Sequence, residues 1–321
     1  MARGRILNGW LNIDKPLGLT STQVVGRVRR LTQAAKIGHG GTLDPLATGV
    51  LPIALGEATK TIPFIMDGVK TYAFTVRWGE ARSTDDLEGE VTASSDLRPT
   101  AAEIAAVLPR FIGEIEQVPP IYSAIKIDGA RAYDLARAGV EIEMKSRRVL
   151  IHQLEAVANP VELSGPDYGS FRVTCGKGTY VRSLARDIAL TLGTFGHVVV
   201  LRRLRVGPFR TEDYDHALGT AGGAAPAQAA ISLDNLAELV HIAPPEKILL
   251  PVETALDGIP ALAVTGSEAQ RLKTGLSLKT EQTLQSPSSQ QGTVAVMAGD
   301  VLIALAALED GELRPVRVFN L

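Results

Sequence analysis

The chain contains a single cysteine, Cys175, among 321 residues, and it lacks the long apolar runs that cross membranes. One cysteine excludes an intrachain disulfide, so a reducing compartment is the natural setting. No stretch approaches the roughly 18 consecutive apolar residues of a membrane helix. The N-terminal MARGRILNGW also lacks the apolar segment of a secretory signal. We therefore predict a cytoplasmic protein without membrane contact.

Metal-binding and nucleotide-binding patterns are missing as well. The five histidines are scattered, and none is paired with cysteine in the spacing of a zinc site, so we expect no metal. No G-x-G-x-x-G joins a strand to a helix, and Gly178 stands where the Walker A pattern needs serine or threonine. The sequence therefore indicates a function that needs no metal and no nucleotide cofactor.

What the chain does have is an uneven distribution of charge behind a net charge of −2. Residues 1–79 carry 10 Lys/Arg against 4 Asp/Glu, and residues 120–210 carry 14 against 8. Residues 80–119 carry 3 against 9, and residues 211–321 carry 6 against 14. If the two basic blocks fold together, they form one positive face for a phosphate backbone. Ordinary solvated helix faces are the equal alternative.

Periodicity predicts strands and helices in irregular order before residue 210. Alternating apolar residues predict strands at 10–13 and 70–78, and Thr20 or Ser21 can cap a helix after the first of them. The acidic stretch 80–96 predicts an exposed loop. Further helices are predicted at 104–112, 130–138, 179–192 and 233–240, and further strands at 121–128, 170–175 and 198–206.

The composition changes after residue 210. With 45% apolar and 21% charged residues, the chain is ordinary for a globular protein, and its length suggests about two domains. Residues 217–230 are rich in Ala and Gly and predict a flexible insert, and a mobile loop is predicted at 281–292. Short strands near the C-terminus predict a small all-β domain at 249–321. Residues 1–248 show no repeated βα order, so we predict an α+β domain there.

One carboxylate, Asp44, lies in a glycine-rich loop within the stretch 36–51, KIGHGGTLDPLATGVL. Glycines let the backbone come close to a bulky ligand, so this carboxylate is placed to face an inserted substrate. An Asp-Pro pair after glycine is also a common turn. From the residues alone the turn is favoured, and a catalytic role is the alternative.

The same stretch resembles the active-site motif of the bacterial tRNA pseudouridine synthase B family. Further segments resemble that family's motifs in the same order: GWLNIDKPLGLTS (9–21), VKTYAF (69–74), PPIYSAIKIDGARAYDLARAG (119–139), GKGTYVRSLARDI (176–188) and LRRLRVGPF (201–209). The C-terminal part resembles the PUA domain, a small RNA-binding β-barrel. The resemblance implies a mixed, largely antiparallel sheet flanked by helices in the catalytic domain.

The resemblance also implies roles for individual residues. Asp44 would be the catalytic carboxylate, with Arg182 and Tyr72 as its active-site support. The residues implied in substrate binding are His39, Tyr180, Leu201 and Lys15. Without the resemblance, Tyr72 is better explained as a core aromatic residue, and Arg182 as a surface or phosphate-binding arginine at even odds.

The activity implied by the resemblance is conversion of the T-loop uridine at position 55 of tRNA to pseudouridine, without a cofactor. The partner would be the tRNA T-arm, bound by a monomer with no obligate protein partner. An alternative is an RNA-binding assistant of tRNA folding, for which turnover is secondary or absent. A guide-RNA-dependent synthase subunit is a third possibility, which the segment 119–139 and the absence of basic tails disfavour.

Overall fold

The computed structural model of the chain describes residues 4–123, 125–127, 130–140, 142–212, 229–279 and 292–321. The insert predicted at 217–230 lies outside these residues except for its last two positions, and the loop predicted at 281–292 lies outside them except for its last. Within the described ranges, no helix is both long and apolar enough to span a bilayer.

The described residues form helices and strands in mixed order. Helices α1 to α7 are Ser21–Thr32, Ile62–Asp67, Ala101–Val107, Ala132–Arg137, Val181–Thr191, Leu233–Ile242 and Gly266–Lys273. Strands β1 to β9 are Gly9–Lys15, Ile37–His39, Ala47–Leu55, Lys70–Trp78, Glu80–Arg82, Val91–Ser94, Gly113–Gln117, Lys126–Ile127 and Ala130–Arg131. Strands β10 to β18 are Arg147–Val157, Tyr168–Cys175, Gly196–Val206, Phe209–Arg210, Ala261–Ala263, Leu278–Lys279, Gly292–Ala298, Val301–Glu309 and Glu312–Val318.

The larger sheet has the order β1-β3-β12-β4-β11-β10-β7, with β2 beside β3 and β13 beside β12. Within this described sheet, β3 and β12 run parallel, and the other neighbours are antiparallel. The predicted mixed, largely antiparallel sheet is therefore confirmed. Strands of the two basic blocks alternate in it, because β12 lies between β3 and β4. The two blocks thus fold together.

Local sequence explains the elements that surround the site. Helix α1 begins after Thr20, which forms a capping box with Gln23, and its residues Val24 and Val28 are fully buried. The period of two in β4 places Tyr72 against the same apolar core as the rest of its face: Phe74, Val76 and Trp78. Helix α5 covers this sheet with the apolar residues of one face, as its spacing predicts.

Two predicted elements are wrong. Residues 80–96 are not simply an exposed loop, because β5 and β6 pair as a hairpin and Asp86 between them is buried. The strand predicted at 121–128 is reduced to β8, which pairs with β9. Residues 121–123 bend instead, with Ser123 N donating to Ile121 O at 2.9 Å. The Asp-Gly pair at 128–129 is a turn sequence, and both positions lie outside the described residues.

The smaller sheet has the order β14-β16-β17-β18-β15, with α7 packed against it. This confirms a small β-rich unit at the C-terminus. It shares an apolar cluster with the larger sheet, in which Trp10 and Val50 meet Leu305 and Phe319. Lys60 Nζ also donates to Val318 O at 2.7 Å. The C-terminal unit is therefore packed onto the larger one through a common core.

Candidate active site

The segment of residues 39–50, called here the catalytic loop, runs from the last residue of β2 into the first half of β3 and carries Asp44. Its C-terminal end, which is part of β3, fits tightly against β12. Gly49 has φ +100, and a Cβ at this position would lie 2.2 Å from the carbonyl oxygen of Arg203. Only glycine accepts both the backbone angle and the close approach. The loop is thus held against the sheet at its C-terminal end.

Two buried side chains hold the middle of the catalytic loop. Lys15, at the end of β1, donates from Nζ to Leu19 O at 2.6 Å, Pro16 O at 3.0 Å and Pro45 O at 3.2 Å. Ser21 Oγ accepts from Leu43 N at 2.9 Å. Burial lowers the pKa of Lys15 to about 8. The residues on either side of Asp44 are therefore fixed, while its side chain stays 37% exposed.

Asp44 forms an ion pair with Arg182, in the first turn of α5. Asp44 Oδ2 lies 2.9 Å from Arg182 Nε. The N–H of that nitrogen does not make a hydrogen bond with good geometry, so the contact is primarily one of charge. The two terminal nitrogens of Arg182 donate to Thr84 O and Tyr122 O, each at 3.0 Å. The guanidinium is thus oriented by backbone oxygens from two other segments.

A second carboxylate contacts the same guanidinium. Asp86 Oδ2 lies 3.5 Å from Arg182 Nη1, and the Asp86 side chain is only 8% exposed. Its Oδ1 accepts from Thr84 Oγ1 and from Glu88 N, the latter at 3.0 Å. The preceding Asp85 has φ +58 and pairs with Arg186 at 2.8 Å. The consecutive residues Asp85 and Asp86 therefore pair with Arg186 and Arg182, which lie one turn apart on α5.

These neighbours set the protonation of Asp44. Burial raises the pKa of Asp44 above its ordinary value, the Arg182 guanidinium opposes this shift, and the charge of Asp86 adds to it. An attractive partner alone would lower the pKa. Burial is the larger of the opposing effects on the pKa of Asp44, although part of its side chain is exposed.

A shallow pocket opens over this carboxylate. It is lined by Asp44, Leu46, Ala47, Asp86, Arg182, Val198, Val199 and Leu201. Leu201 pairs with Ala47 across the parallel β3–β12 contact, so it supplies an apolar wall next to the carboxylate. The lining therefore combines apolar side chains with two acids, of which Asp44 is the more exposed.

Three other residues implied by the resemblance lie in β2, in β4 and directly before α5. Tyr72 packs on the apolar core and lies opposite Arg203 in the β4–β12 register. The Nδ1 atom of His39 accepts from Gly41 N at 3.3 Å. Tyr180 precedes α5, and the side chain of Gln117 bonds both its N and its O, at 2.8 and 3.1 Å. These three are not among the pocket-lining residues.

Sequence reasoning missed Asp86 and Arg203 as members of this site. Asp86 lies in an acidic, polar stretch, and that pattern predicts exposure. Arg203 has one usable signal: it is an arginine inside a run of buried strand residues, and it is 2% exposed in the structure. No group of three His, Cys, Asp or Glu side chains in the described ranges is placed to hold a metal ion.

Comparison with known proteins gives a consistent family. The model described as TruB family pseudouridylate synthase (N terminal domain) matches residues 29–181, and that of the tRNA pseudouridylate synthase B C-terminal domain matches residues 182–257. The tRNA pseudouridine synthase B of Rhodospirillum rubrum is 53% identical over 99% of this chain and 98% of its own length. That of Caulobacter vibrioides is 50% identical, with the same coverage of both chains.

Solved structures share the fold. The chain is similar to one in a crystal structure of a Cbf5–Nop10–Gar1 complex, with a TM-score of 0.72 and 27% identity over 98% of this chain and 85% of that one. A chain in a crystal structure of an archaeal box H/ACA Nop10–Cbf5 complex has a TM-score of 0.70 and 25% sequence identity. The match covers 98% of this chain and 87% of that one. Both family models match in order, and the relatives are half identical over nearly the whole length. The chain therefore belongs to the TruB family of pseudouridylate synthases.

Proposed function

We propose that this protein converts a uridine of tRNA to pseudouridine, at T-loop position 55, without a cofactor. The observation that carries the proposal is the Asp44–Arg182 ion pair of 2.9 Å at the mouth of a pocket with an apolar wall. Relatives that are half identical over nearly the full chain bear the name tRNA pseudouridine synthase B, which supports the substrate class.

The reaction rearranges one nucleotide and consumes nothing else. The N1–C1′ bond of uridine breaks, C1′ bonds to C5 of the same base, the C5 proton leaves, and N1 gains a proton. An ionised carboxylate can attack the sugar or remove a sugar proton. Asp44 is the candidate for either role. Both need its ionised form, which Arg182 favours by charge and orients through its own fixed position.

The walls of the pocket suit a uracil ring that has left its stack. Leu201 and Val198 offer apolar contact to one side of the ring, and Tyr72 is the candidate for stacking on it. Extruding a base costs a few kcal/mol, and less in a loop than in a duplex. His39, at the start of the catalytic loop, is proposed to fill the space that the extruded base leaves. Tyr180 completes the proposed substrate side of the site, and the buried Lys15 supports that side indirectly by holding Pro45 next to Asp44.

The proposed RNA contact lies beside this loop. Helix α1 presents Arg27, Arg29 and Arg30 as exposed side chains, and the exposed Lys36 follows the helix directly before β2. Helix α1 itself has no acid. Several other arginines of the basic blocks are used inside the protein, since Arg182 and Arg203 are buried. We propose that α1 meets the phosphates of the T-arm, that the enzyme acts as a monomer, and that it works in the cytoplasm.

The test is pseudouridine formation on a tRNA transcript by the purified full-length chain, under single-turnover conditions. Asp44→Asn keeps the size of the side chain and removes its charge, so we expect no product and nearly unchanged tRNA binding. The control is Asp67→Asn, because Asp67 forms an exposed ion pair with Lys177 at 3.0 Å. We expect the control to retain wild-type turnover.

A second transcript with cytidine at position 55 tests the site of modification. We expect no pseudouridine in it. Product elsewhere in this transcript would overturn the position that we assign. Turnover by Asp44→Asn at the wild-type rate would remove the assigned role of that carboxylate.

A further inference from the structure

Arg203, in β12, is almost completely buried, yet it carries a charge that the reaction scheme above does not use. Its side chain is 2% exposed. An arginine keeps its proton even when it is buried, and burial lowers the pKa of Arg203 while Tyr72 and Asp44 raise it. A buried cation is costly to maintain unless its donors are satisfied. The groups that accept hydrogen bonds from Arg203 therefore indicate what its side chain holds in place.

Three of these partners are backbone oxygens of the catalytic loop. Arg203 donates from Nε to Val50 O at 2.8 Å, from Nη2 to Gly41 O at 3.0 Å and from Nη1 to Thr42 O at 3.3 Å. These oxygens lie on both sides of Asp44 in the chain. The backbone of Arg203 also packs against Gly49 without space for a Cβ. One residue thus sets both ends of the loop that carries the carboxylate.

The fourth neighbour is the side chain of Tyr72. Arg203 and Tyr72 are opposite each other in the β4–β12 register, and the charge of the guanidinium acts on the Tyr72 hydroxyl. Arginine has only donors, so the Tyr72 oxygen is the atom that faces a guanidinium as acceptor.

We propose that Arg203 is a positioning residue for the isomerisation, which fixes the Tyr72 hydroxyl and the Asp44 loop relative to each other through one guanidinium. The proposal rests on the proposed function, since it concerns the same site. In the proposed reaction, Asp44 contacts the sugar and Tyr72 contacts the base. The distance between these two side chains therefore determines how the nucleotide is held. A misplacement of about 1 Å in such a site costs roughly 10²-fold in rate.

The kinetic test uses Arg203→Lys, which retains the charge but cannot reach four acceptors. We expect the single-turnover rate at saturating tRNA to fall about 10²-fold, with tRNA affinity within a few fold of wild type. The control is Arg202→Lys, the next residue of the same strand, whose guanidinium pairs with Asp14 at 2.7 Å instead. We expect the control to keep the wild-type rate.

A double variant separates positioning from simple structural support. If Arg203 acts through Tyr72, the losses from Arg203→Lys and Tyr72→Phe are not independent. The double variant then loses less than the product of the two single losses. A loss equal to that product, or a wild-type rate for Arg203→Lys, would overturn the proposal.

A measurement on the guanidinium itself covers the case in which Arg203→Lys does not fold. In protein labelled with ¹⁵N-arginine, the side-chain signal of Arg203 is expected to shift in Tyr72→Phe, which alters one hydroxyl only. An unshifted signal would overturn the proposal. If the wild-type protein formed no pseudouridine, the proposed function would fail, and the catalytic part of this proposal with it, whereas the nitrogen signal would still decide whether Arg203 contacts the Tyr72 hydroxyl.

Discussion

Asp44 and Asp86 share one guanidinium: Asp44 Oδ2 lies 2.9 Å from Arg182 Nε, and Asp86 Oδ2 lies 3.5 Å from Arg182 Nη1. The two acids lie in different segments of the chain, and both contact the side chain of Arg182 in α5. The first is 37% exposed and the second 8% exposed. Asp44 is therefore the acid within reach of a substrate, and Asp86 acts on it through Arg182 and through charge.

Replacing Asp86 tests this arrangement by its effect on the pH profile. Asp86 is one of the causes that raise the pKa of Asp44, and the proposed reaction needs Asp44 in its ionised form. The rate is therefore lost as the pH falls through the pKa of Asp44. Asp86→Asn removes a negative charge, so the pKa of Asp44 falls and the acidic limb of the single-turnover rate moves to lower pH.

The pH-independent rate above that acidic limb is expected to fall as well, because Asp86→Asn removes one of the ion pairs that hold Arg182 in place. Glu90→Gln is the matched control, since Glu90 is an exposed acid of the same hairpin. Glu90→Gln should change neither the pH at which the rate is lost nor the pH-independent rate. A limb that moves to higher pH in Asp86→Asn would contradict the electrostatic argument.

Arg182→Lys keeps the charge but loses the planar fork that joins several partners. A single ammonium cannot contact Thr84 O, Tyr122 O and the Asp44 carboxylate in their present positions. Hydrogen bonds to charged groups contribute about 1.5–3 kcal/mol each, so the loss of one or two predicts a rate that is lower by about 10-fold to 10⁴-fold. Burial of Arg182 predicts little change in tRNA affinity.

Arg172→Lys provides the comparison for that variant. Arg172 lies in β11 and pairs with a half-exposed Glu155 at 3.5 Å, away from the pocket-lining residues. Its rate should match wild type. A near-normal rate for Arg182→Lys in the single-turnover assay would show that the planar guanidinium of Arg182 is not required.

The sequence predicts those features of the site that depend on local pattern. The period of two over 70–78 identifies β4 and the face on which Tyr72 lies, and Thr20 marks the start of α1. The glycine-rich surroundings of Asp44 indicate a loop that receives a ligand, although only the family resemblance makes catalysis the favoured explanation. Each of these signals is carried by residues within one turn or one strand.

The missed residues depend on contacts between distant segments. Asp86 is buried because an arginine of α5 pairs with it, and nothing near Asp86 in the sequence indicates that partner. The strand predicted at 121–128 failed for a related reason, since Tyr122 O bonds to Arg182 instead of to a neighbouring strand. Such pairings follow from the tertiary fold, and a single sequence does not specify them.

Phe319→Ala tests whether the C-terminal unit stabilises the catalytic one. Phe319 is fully buried in the cluster that contains Trp10, and Lys60 Nζ lies 5.7 Å from the centre of its ring. Removing a buried phenylalanine costs about 3–5 kcal/mol. Both tryptophans, Trp10 and Trp78, belong to the larger sheet, so their fluorescence in a urea titration should report the loss.

The comparison variant is Val316→Ala, in the same strand region but 51% exposed, for which a change within about 0.5 kcal/mol is expected. If Phe319→Ala left the tryptophan transition unchanged, residues 1–248 and 249–321 would unfold as independent domains. A shifted midpoint would establish that the common core couples them.

The salt dependence of tRNA binding tests the positive face proposed for α1. Ser21, at the start of that helix, bonds to Leu43 of the catalytic loop, so the exposed Arg27 and Arg30 are carried close to the site. Each arginine that neutralises a phosphate adds about one to the slope of log affinity against log salt. Arg27→Gln and Arg30→Gln should each reduce the slope by about one and leave the saturated rate unchanged. Arg110→Gln, an exposed arginine of the acidic block, should not alter the slope, and equal slopes for all three variants and wild type would place the RNA on another surface.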